Sequence, residues 1–177
     1  LKEVEWPTIF FFFGLFVMVS ALVDVGVVKL LGQGIIDVTC GDISGGLTHA
    51  QRFRLTMGVL VFAAVASGIV DNIPFVATMN AVIHEMATTM HPSAETADFY
   101  AIAHAPDIWP LWWALSLGAC LGGNFTPVGA SANVVVIGIA ERAHHPIPFV
   151  RFLKYGIPIT VQGIIISAVY LWLMFLR

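Results

Sequence analysis

A carboxylate, an amide and a proline interrupt an apolar stretch in the middle of this chain. The interruption is Asp71-Asn72-Ile73-Pro74, and the rest of residues 55–86 is mostly apolar. At the depth of a bilayer an ionised side chain costs about 2.5–3.5 kcal/mol, so a carboxylate kept there indicates a functional site. Asp71 is therefore the first candidate for binding a proton or a cation.

A second polar interruption, residues 122–133, lies between the apolar residues 109–121 and 134–140. Its sequence, GGNFTPVGASAN, is rich in glycine and in side chains with hard oxygen atoms. Such oxygens coordinate Na⁺ or hydrogen-bond to a small oxyanion, and glycine lets the backbone approach an ion closely. Across both interruptions, the candidate binding side chains are Asp71, Asn72, Asn124, Thr126, Ser131 and Asn133, and the close-approach positions are Gly122, Gly123 and Gly129.

The predicted ligands are coupling ions rather than cofactors. Asp71, Asn72 and Asn124 are the candidate Na⁺ ligands, and Asp71 is also the residue of this set that can carry H⁺. Neither a structural metal site nor a disulfide is predicted, because Cys40 and Cys120 lie far apart and have no Cys or His neighbour at metal-ligand spacing.

Both interruptions are typical of broken helices. Pro74 lacks a backbone donor and disfavours helix at the preceding residue, so we expect the helix to stop near Ile73 and to restart beyond it. The carbonyl groups freed at a break can ligate a cation, and the N-terminus of the second half can bind an anion. Because hydrocarbon does not tolerate bare backbone, we expect the two breaks to line one shared cavity.

The composition places the chain in a membrane. Hydrophobic residues make up 58% of the sequence and charged residues 11%, and the mean hydropathy is +0.88, whereas soluble domains are about 25% charged. Residues 8–28 and 156–176 are each apolar for long enough to cross a bilayer as a helix. The predicted fold is an all-α polytopic membrane protein, with residues 1–177 as one transmembrane domain whose first partner is the lipid bilayer.

Residues 55–86 allow two arrangements in that membrane. Their halves of about 16 residues are too short to span, which predicts a re-entrant hairpin with Asp71 at its tip. A single broken helix that crosses the membrane is the alternative. It places Arg52 and Arg54 on the opposite side of the membrane from residues 90–106, which contain acidic residues but no Lys or Arg. The basic residues predicted to be cytoplasmic are Arg142, Arg151 and Lys154.

Other function classes fit the sequence less well. A net charge of −3 without a basic cluster argues against nucleic-acid binding. An intramembrane enzyme needs a nucleophile with a base or a His-Glu-x-x-His cluster, and His84-Glu85 lacks the second histidine. A channel displays rings of carbonyls or charges, whereas one carboxylate among amides favours a binding site. The breaks could also be structural kinks, with side chains such as Ser67 bonding the carbonyl four residues back.

Several blocks of the sequence resemble the arsenite permease and sodium/proton antiporter family of the ion transporter superfamily. That family is related to citrate-transporter-like proteins and to the melanosomal P protein. The blocks are VEWPT at residues 4–8, FFFGLFV at 11–17, DNIPFVATM at 71–79, GACLGGN at 118–124 and GASANVV at 129–135.

The resemblance implies that this chain is the C-terminal one of two inverted repeats in an elevator-type transporter, each repeat having a re-entrant hairpin and a broken helix. The implied protein partners are the missing N-terminal repeat and a second copy in a homodimer. The resemblance assigns ion or substrate binding to Asp71, Asn72, Ile73 and Pro74 at the hairpin tip, and to Asn124, Thr126, Pro127, Ser131 and Asn133 in the broken helix.

The implied function is secondary active transport by alternating access, in a bacterial or archaeal plasma membrane. Related anion/sodium symporters have Ser-Asn-Thr where this chain has Asp71-Asn72-Ile73, and a carboxylate repels a dicarboxylate unless it is neutralised. We therefore expect a small inorganic ion as cargo, through arsenite efflux or Na⁺/H⁺ antiport. Cation-coupled uptake of a carboxylate or other anion is the alternative, because the helix start at residues 129–133 suits an anion.

Overall fold

The computed structural model describes residues 6–41, 47–91 and 103–177. Within these ranges the secondary structure is entirely helical, which confirms the all-α prediction. Residues 4 and 5 of the VEWPT block lie outside the described residues. The seven helices of the described ranges are α1 Trp6–Asp24, α2 Val27–Thr39, α3 His49–Ser67, α4 Asn72–Met90, α5 Trp109–Gly122, α6 Ser131–Arg142 and α7 Phe149–Phe175.

The first predicted span is not one straight helix. We expect a helix throughout residues 8–28, but α1 ends at Asp24, α2 begins at Val27, and the axis bends by 72° between them. Gly26 at the bend has a φ of 78°, a left-handed conformation that a side chain disfavours. One left-handed residue is enough to end a run of helical dihedrals, so the prediction is wrong beyond Asp24.

The first interruption begins before its proline. α3 ends at Ser67 and α4 begins at Asn72, so the turn comprises residues 68–71 and the prediction of a stop near Ile73 is wrong. Pro74 lies in the first turn of α4, where a backbone N–H has no partner within the helix in any case. The carboxylate of Asp71 caps α4 by accepting from the N–H of Ile73 at 3.1 Å. The cap, and not the proline, determines where α4 begins.

The helices on either side of this turn are longer than the apolar halves from which they were predicted. α3 and α4 have 19 residues each, which makes each about 28 Å long, close to the thickness of bilayer hydrocarbon. They diverge from the turn, since α3 packs mainly against α5 and α4 mainly against α2. Near the turn they touch through Phe62 and Phe75, whose ring centroids are 6.2 Å apart. The re-entrant placement stays a prediction.

α7 agrees with the second predicted span, although it begins at Phe149 rather than at residue 156. Among the described helices it alone is long and apolar enough to cross a bilayer by itself, with 27 residues and a mean hydropathy of 1.8. The bent pair formed by residues 16–24 and α2 meets the same criteria only when it is counted as one unit.

The tightest packing joins α3 to α5. Gly118 and Gly122 lie about one turn apart on α5, and a Cβ atom added at Gly122 would lie 2.3 Å from the carbonyl oxygen of Ala64. A Cβ atom at Gly118 would lie 2.5 Å from the carbonyl oxygen of Leu60. Small residues thus let two backbones approach, as they do between membrane helices. The surrounding core includes Leu55, Val59, Ile83, Met86, Ile108, Leu111 and Leu115.

Apolar surface remains exposed at the periphery of the described structure. No residue of α6 is buried, and the apolar side chains of Val134, Val135 and Val136 are exposed. Along α7, Ile165 and Ile166 are likewise exposed. Large contiguous apolar surface of this kind marks a face that lipid or further protein covers.

Replacing Gly122 by alanine will push α3 away from α5, because the new methyl group overlaps the Ala64 backbone. Overpacking of this kind costs about 1–3 kcal/mol. The matched control is Gly138→Ala in α6, where an added Cβ atom meets nothing within 4 Å. We expect the full-length protein in detergent to melt at a clearly lower temperature with Gly122→Ala than with Gly138→Ala. Equal melting temperatures would contradict the close contact.

Candidate functional site

The two polar interruptions of the sequence lie side by side in the structure. The turn between α3 and α4, residues 68–71, contacts the loop between α5 and α6, residues 123–130. A Cβ atom added at Gly68 would lie 2.7 Å from the Cβ atom of Phe125. We call the two segments and their flanking residues, Ser67–Asn72 and Gly122–Asn133, the junction.

Thr126 ties the loop to the turn. Its hydroxyl donates to the carbonyl oxygen of Gly68 at 2.6 Å and accepts from the N–H of Gly129 at 3.0 Å. The first bond satisfies a carbonyl group freed at the end of α3, and the second satisfies an N–H within the loop. One side chain therefore pairs with backbone groups from both breaks.

Ser67 and Asn72 form a second connection. Ser67 is fully buried, and its hydroxyl donates to the carbonyl oxygen of Ala119 in α5 at 2.7 Å. The Asn72 amide contacts that hydroxyl, and we assign its nitrogen to this side because its oxygen would face only acceptors. The nitrogen then lies 3.1 Å from the carbonyl oxygen of Gly129 and 3.2 Å from that of Ala119. Asn72 thereby links α4 to α5 and to the loop.

Asn133 hydrogen-bonds to backbone carbonyl groups of the second break. Its amide nitrogen donates to the carbonyl oxygens of Gly123 at 2.9 Å and Thr126 at 3.2 Å. The hydroxyl of Thr160 in α7 donates to the carbonyl oxygen of Leu121 at 3.4 Å. Carbonyl groups near the end of α5, which the sequence predicts to be free for a cation, therefore already accept hydrogen bonds from the protein.

Two glycines allow the close approach predicted for them, and the groups that approach are protein groups. A Cβ atom at Gly123 would lie 2.7 Å from the nearer atom of the Asn72 side-chain amide. At Gly129 it would lie 2.8 Å from the Gly123 carbonyl oxygen and 3.0 Å from that of Ser67. A larger residue at Gly129 would force the turn and the loop apart, and one at Gly123 would displace the Asn72 side chain.

Asp71 lies at the edge of the junction. It is half-buried, and its carboxylate accepts from the N–H of Ile73. Among the described residues, no hydrogen bond or ion pair connects this carboxylate to the loop at residues 123–130. A carboxylate has about four acceptor positions, so most of the capacity of Asp71 is available to an ion.

The other predicted binding residues differ in their burial. Pro127 is buried and Pro74 is half-buried, whereas Asn124 and Ser131 are exposed. Ile73 is also exposed. The structure brings together Asn72, Thr126 and Asn133. No described contact joins Asp71, Asn72 and Asn124 into the Na⁺ site predicted for them.

A cleft of about 900 Å³ lies on the α7 side of the junction. Asn124 and Asn133 line it at the loop. Gly156 of α7 packs so closely on the loop that an added Cβ atom would lie 2.6 Å from the Asn124 carbonyl oxygen. Arg151 and Tyr155 line the cleft from the same helix. The loop is therefore in contact with α3 and α4 through one set of atoms and with α7 through another.

Sequence reasoning left Ser67 undecided and missed Thr160. Ser67 bonds to α5 and to Asn72, and not to a carbonyl group four residues back in its own helix. Its position directly before the break was the available signal. Thr160 follows Gly156 by one helical turn, so a small residue and a hydroxyl share one face of α7; this spacing indicates close packing on a neighbour.

Replacing Thr126 by valine will loosen the junction. Valine keeps the shape of the side chain but leaves the Gly68 carbonyl group without this hydrogen bond, at a cost of about 1–3 kcal/mol. Thr126→Ser is the control, because it retains the hydroxyl. We expect Thr126→Val alone to lower the melting temperature of the full-length protein and to speed amide hydrogen exchange in residues 68–71. Equal exchange in the two variants would show that the hydroxyl does not hold the turn.

Comparisons with known proteins agree on a transporter family. A family model described as citrate transporter matches residues 1–118. An uncharacterized transporter of Mycobacterium tuberculosis is 45% identical over 177 residues, covering 99% of this chain and 36% of the relative. A 46 kDa membrane protein of Mycobacterium leprae is 43% identical over 99% of this chain and 36% of its own length. The P protein of Mus musculus is 36% identical over 97% of this chain and 19% of its own length.

This chain thus spans about a third of the bacterial relatives that it matches. No solved structure matches it significantly. The matches confirm the resemblance to an ion transporter family, and they do not distinguish the arsenite or Na⁺/H⁺ branch, which stays a prediction. Because the citrate transporter model covers residues 1–118 of the 177, the chain belongs to the citrate transporter family, a family of integral membrane transporters and not of enzymes.

Proposed function

We propose that this chain forms part of a secondary transporter that moves a small inorganic ion across a membrane by alternating access. The observation that carries the proposal is the junction, where two broken helical segments meet beside a half-buried carboxylate with open acceptor positions. Transporters of this general kind place their ion sites where broken helices meet. The proposal includes an elevator-type repeat, a second repeat elsewhere in the same protein and assembly as a homodimer in a bacterial or archaeal plasma membrane.

Asp71 is the proposed ion-binding group. Its carboxylate caps α4 with one hydrogen bond to the N–H of Ile73, which leaves further acceptor positions for H⁺ or Na⁺. Binding of either ion neutralises the carboxylate. Neutralisation matters because moving a charged carboxylate through hydrocarbon is expensive, whereas a neutral site can cross.

The junction supplies the rigid support that this cycle needs. Ser67, Asn72 and Thr126 hold the turn against α5 and the loop through hydrogen bonds, of which that from Ser67 to Ala119 is fully buried. Asp71 is therefore attached to a turn that moves as one unit with the end of α5. Alternating exposure of Asp71 to the two sides, with exchange of H⁺ for Na⁺, gives antiport. With arsenite as the exchanged species, the same cycle gives efflux.

The test is proton flux in everted vesicles that carry the full-length protein. Addition of Na⁺ to vesicles with the wild-type protein should dissipate an established proton gradient. Asp71→Asn should abolish that proton flux because an amide cannot bind and release a proton. Asp24→Asn is the matched control, since Asp24 is an exposed carboxylate at the α1–α2 bend; it should retain most of the flux.

Three results would change the proposal. An Asp71→Asn variant as active as wild type removes Asp71 from the mechanism. Equal loss in the Asp71 and Asp24 variants shows a general structural effect. Absence of Na⁺-dependent flux in well-expressed wild type excludes Na⁺/H⁺ antiport, and arsenite efflux in the same vesicles then decides the cargo.

Cation-coupled uptake of a carboxylate is the second candidate. α6 begins at Ser131 with no side-chain cap, so the positive end of its dipole is available to an anion. The family model carries the description citrate transporter, which also favours this cargo. Na⁺-dependent accumulation of labelled citrate in right-side-out vesicles, without Na⁺-driven proton flux, would favour uptake over antiport.

A further inference from the structure

The cleft beside the junction has a shape and a chemistry that the proposed ion site does not use. It is about 900 Å³ in volume and separates the end of α6 from the first half of α7. Its lining includes Asn124 of the loop and Asn133 of the first turn of α6. Asn133 directs its amide nitrogen toward loop carbonyl groups, whereas Asn124 is exposed. The cleft therefore extends from the surface down to the second break.

The ionisable lining of the cleft is basic apart from one phenol. Arg151 lines it from the first turn of α7, and His144 and His145 line it from the segment that follows α6. Tyr155 adds a phenol group one turn after Arg151. Among the described lining residues, none carries a carboxylate. A guanidinium with imidazole, phenol and amide donors, and no opposing acid, selects an anion, and arginine matches the geometry of an oxyanion.

The backbone at the two histidines that line the cleft is held by hydrogen bonds to the end of α6. His144 has a φ of 62°, a left-handed conformation that is uncommon for a residue with a side chain. The N–H of His144 donates to the carbonyl oxygen of Glu141 at 3.0 Å, and that of His145 donates to that of Ala140 at 2.9 Å. These bonds cap the end of α6 in the manner that usually employs glycine. The main chain that carries the two imidazoles is thus part of the helix cap.

The start of α7 adds a favourable field. This helix begins at Phe149, and no side chain caps its first turn. The positive end of the helix dipole therefore lies next to Arg151, at the mouth of the cleft. The guanidinium and the dipole both attract a negative group, and the imidazole N–H groups can donate hydrogen bonds to it.

We propose that the cleft between α6 and α7 binds an oxyanion group, a phosphate or a carboxylate, between Arg151 and the two histidines. The inference goes beyond the proposed function, because it holds whichever ion the junction carries. The group has two sources, a dissolved anion or the headgroup of an anionic lipid. The second source is within reach because Arg151 lies at the start of a helix that meets the criteria for crossing a bilayer, and basic residues at such positions meet lipid headgroups.

The experiment uses the purified, delipidated full-length protein and compares Arg151→Gln with Lys154→Gln. Lys154 is an exposed basic residue one turn further along α7 that does not line the cleft. The probes are inorganic phosphate, measured by isothermal titration calorimetry, and phosphatidylglycerol, measured by native mass spectrometry. We expect Arg151→Gln to weaken binding of one probe roughly five- to tenfold, because an exposed charge-assisted bond contributes modestly, and Lys154→Gln to leave it unchanged.

The source follows from which probe responds. Phosphate binding that depends on Arg151 indicates a dissolved anion, whereas phosphatidylglycerol binding that depends on Arg151, without phosphate binding, indicates a lipid headgroup. If both probes bind equally well to both variants, or if both variants lose them equally, the cleft is not an oxyanion site. Should Arg151→Gln elute as aggregate, the double variant His144→Gln/His145→Gln tests the same wall against the same control.

Discussion

Backbone groups that are freed where a helix breaks must find partners, and the hydrocarbon of a membrane supplies none. In this protein the two breaks satisfy each other. The carbonyl group of Gly68 at the end of α3 accepts from Thr126 in the second break, and the carbonyl group of Gly129 in the second break accepts from Asn72 in the first. Neither segment could be placed in an apolar environment alone, so the constraint that breaks require partners explains why the two occur together.

This reciprocal arrangement depends on how closely α3 and α5 approach. Gly118 and Gly122 remove the side chains that would separate the two backbones, and Ala64 on α3 completes the contact. One turn further along, Ser67 then comes within hydrogen-bond distance of Ala119. A leucine-lined contact would hold the helices about 8–10 Å apart, and the short serine side chain would not reach. Close packing is thus the condition for polar pairing at the junction.

The sequence predicts some elements of this fold well and others poorly, for identifiable physical reasons. The bounds of α5 agree with prediction to within one residue, because a run of apolar residues ends at two glycines. The α1–α2 bend was missed because the left-handed backbone of Gly26 is not visible in composition. Pro74 was misplaced relative to the break because a proline fits the first turn of a helix as well as it ends one.

In the candidate site, too, the sequence predicts some features and not others. Polar residue types within apolar stretches correctly locate the two breaks, because a polar group in an apolar environment costs free energy unless it has a partner. Which partner each side chain meets depends on packing between segments that are some 50 residues apart, such as Ser67 and Ala119, and no local pattern encodes that. The edge position of Asp71 and the role of Thr160 could therefore be learned only from the fold.

The hydrogen bonds of Thr126 and Asn72 make the two breaks thermodynamically linked. Opening the turn at residues 68–71 also removes a partner from the loop at residues 123–130, so neither segment can loosen without raising the free energy of the other. Linkage of this kind is reciprocal: the free energy by which closing the first break favours closing of the second equals that by which closing the second favours closing of the first. Two short stretches far apart in the sequence thus behave as a single cooperative unit, and an event at either one is communicated to the other through the hydrogen bonds of Ser67, Asn72 and Thr126.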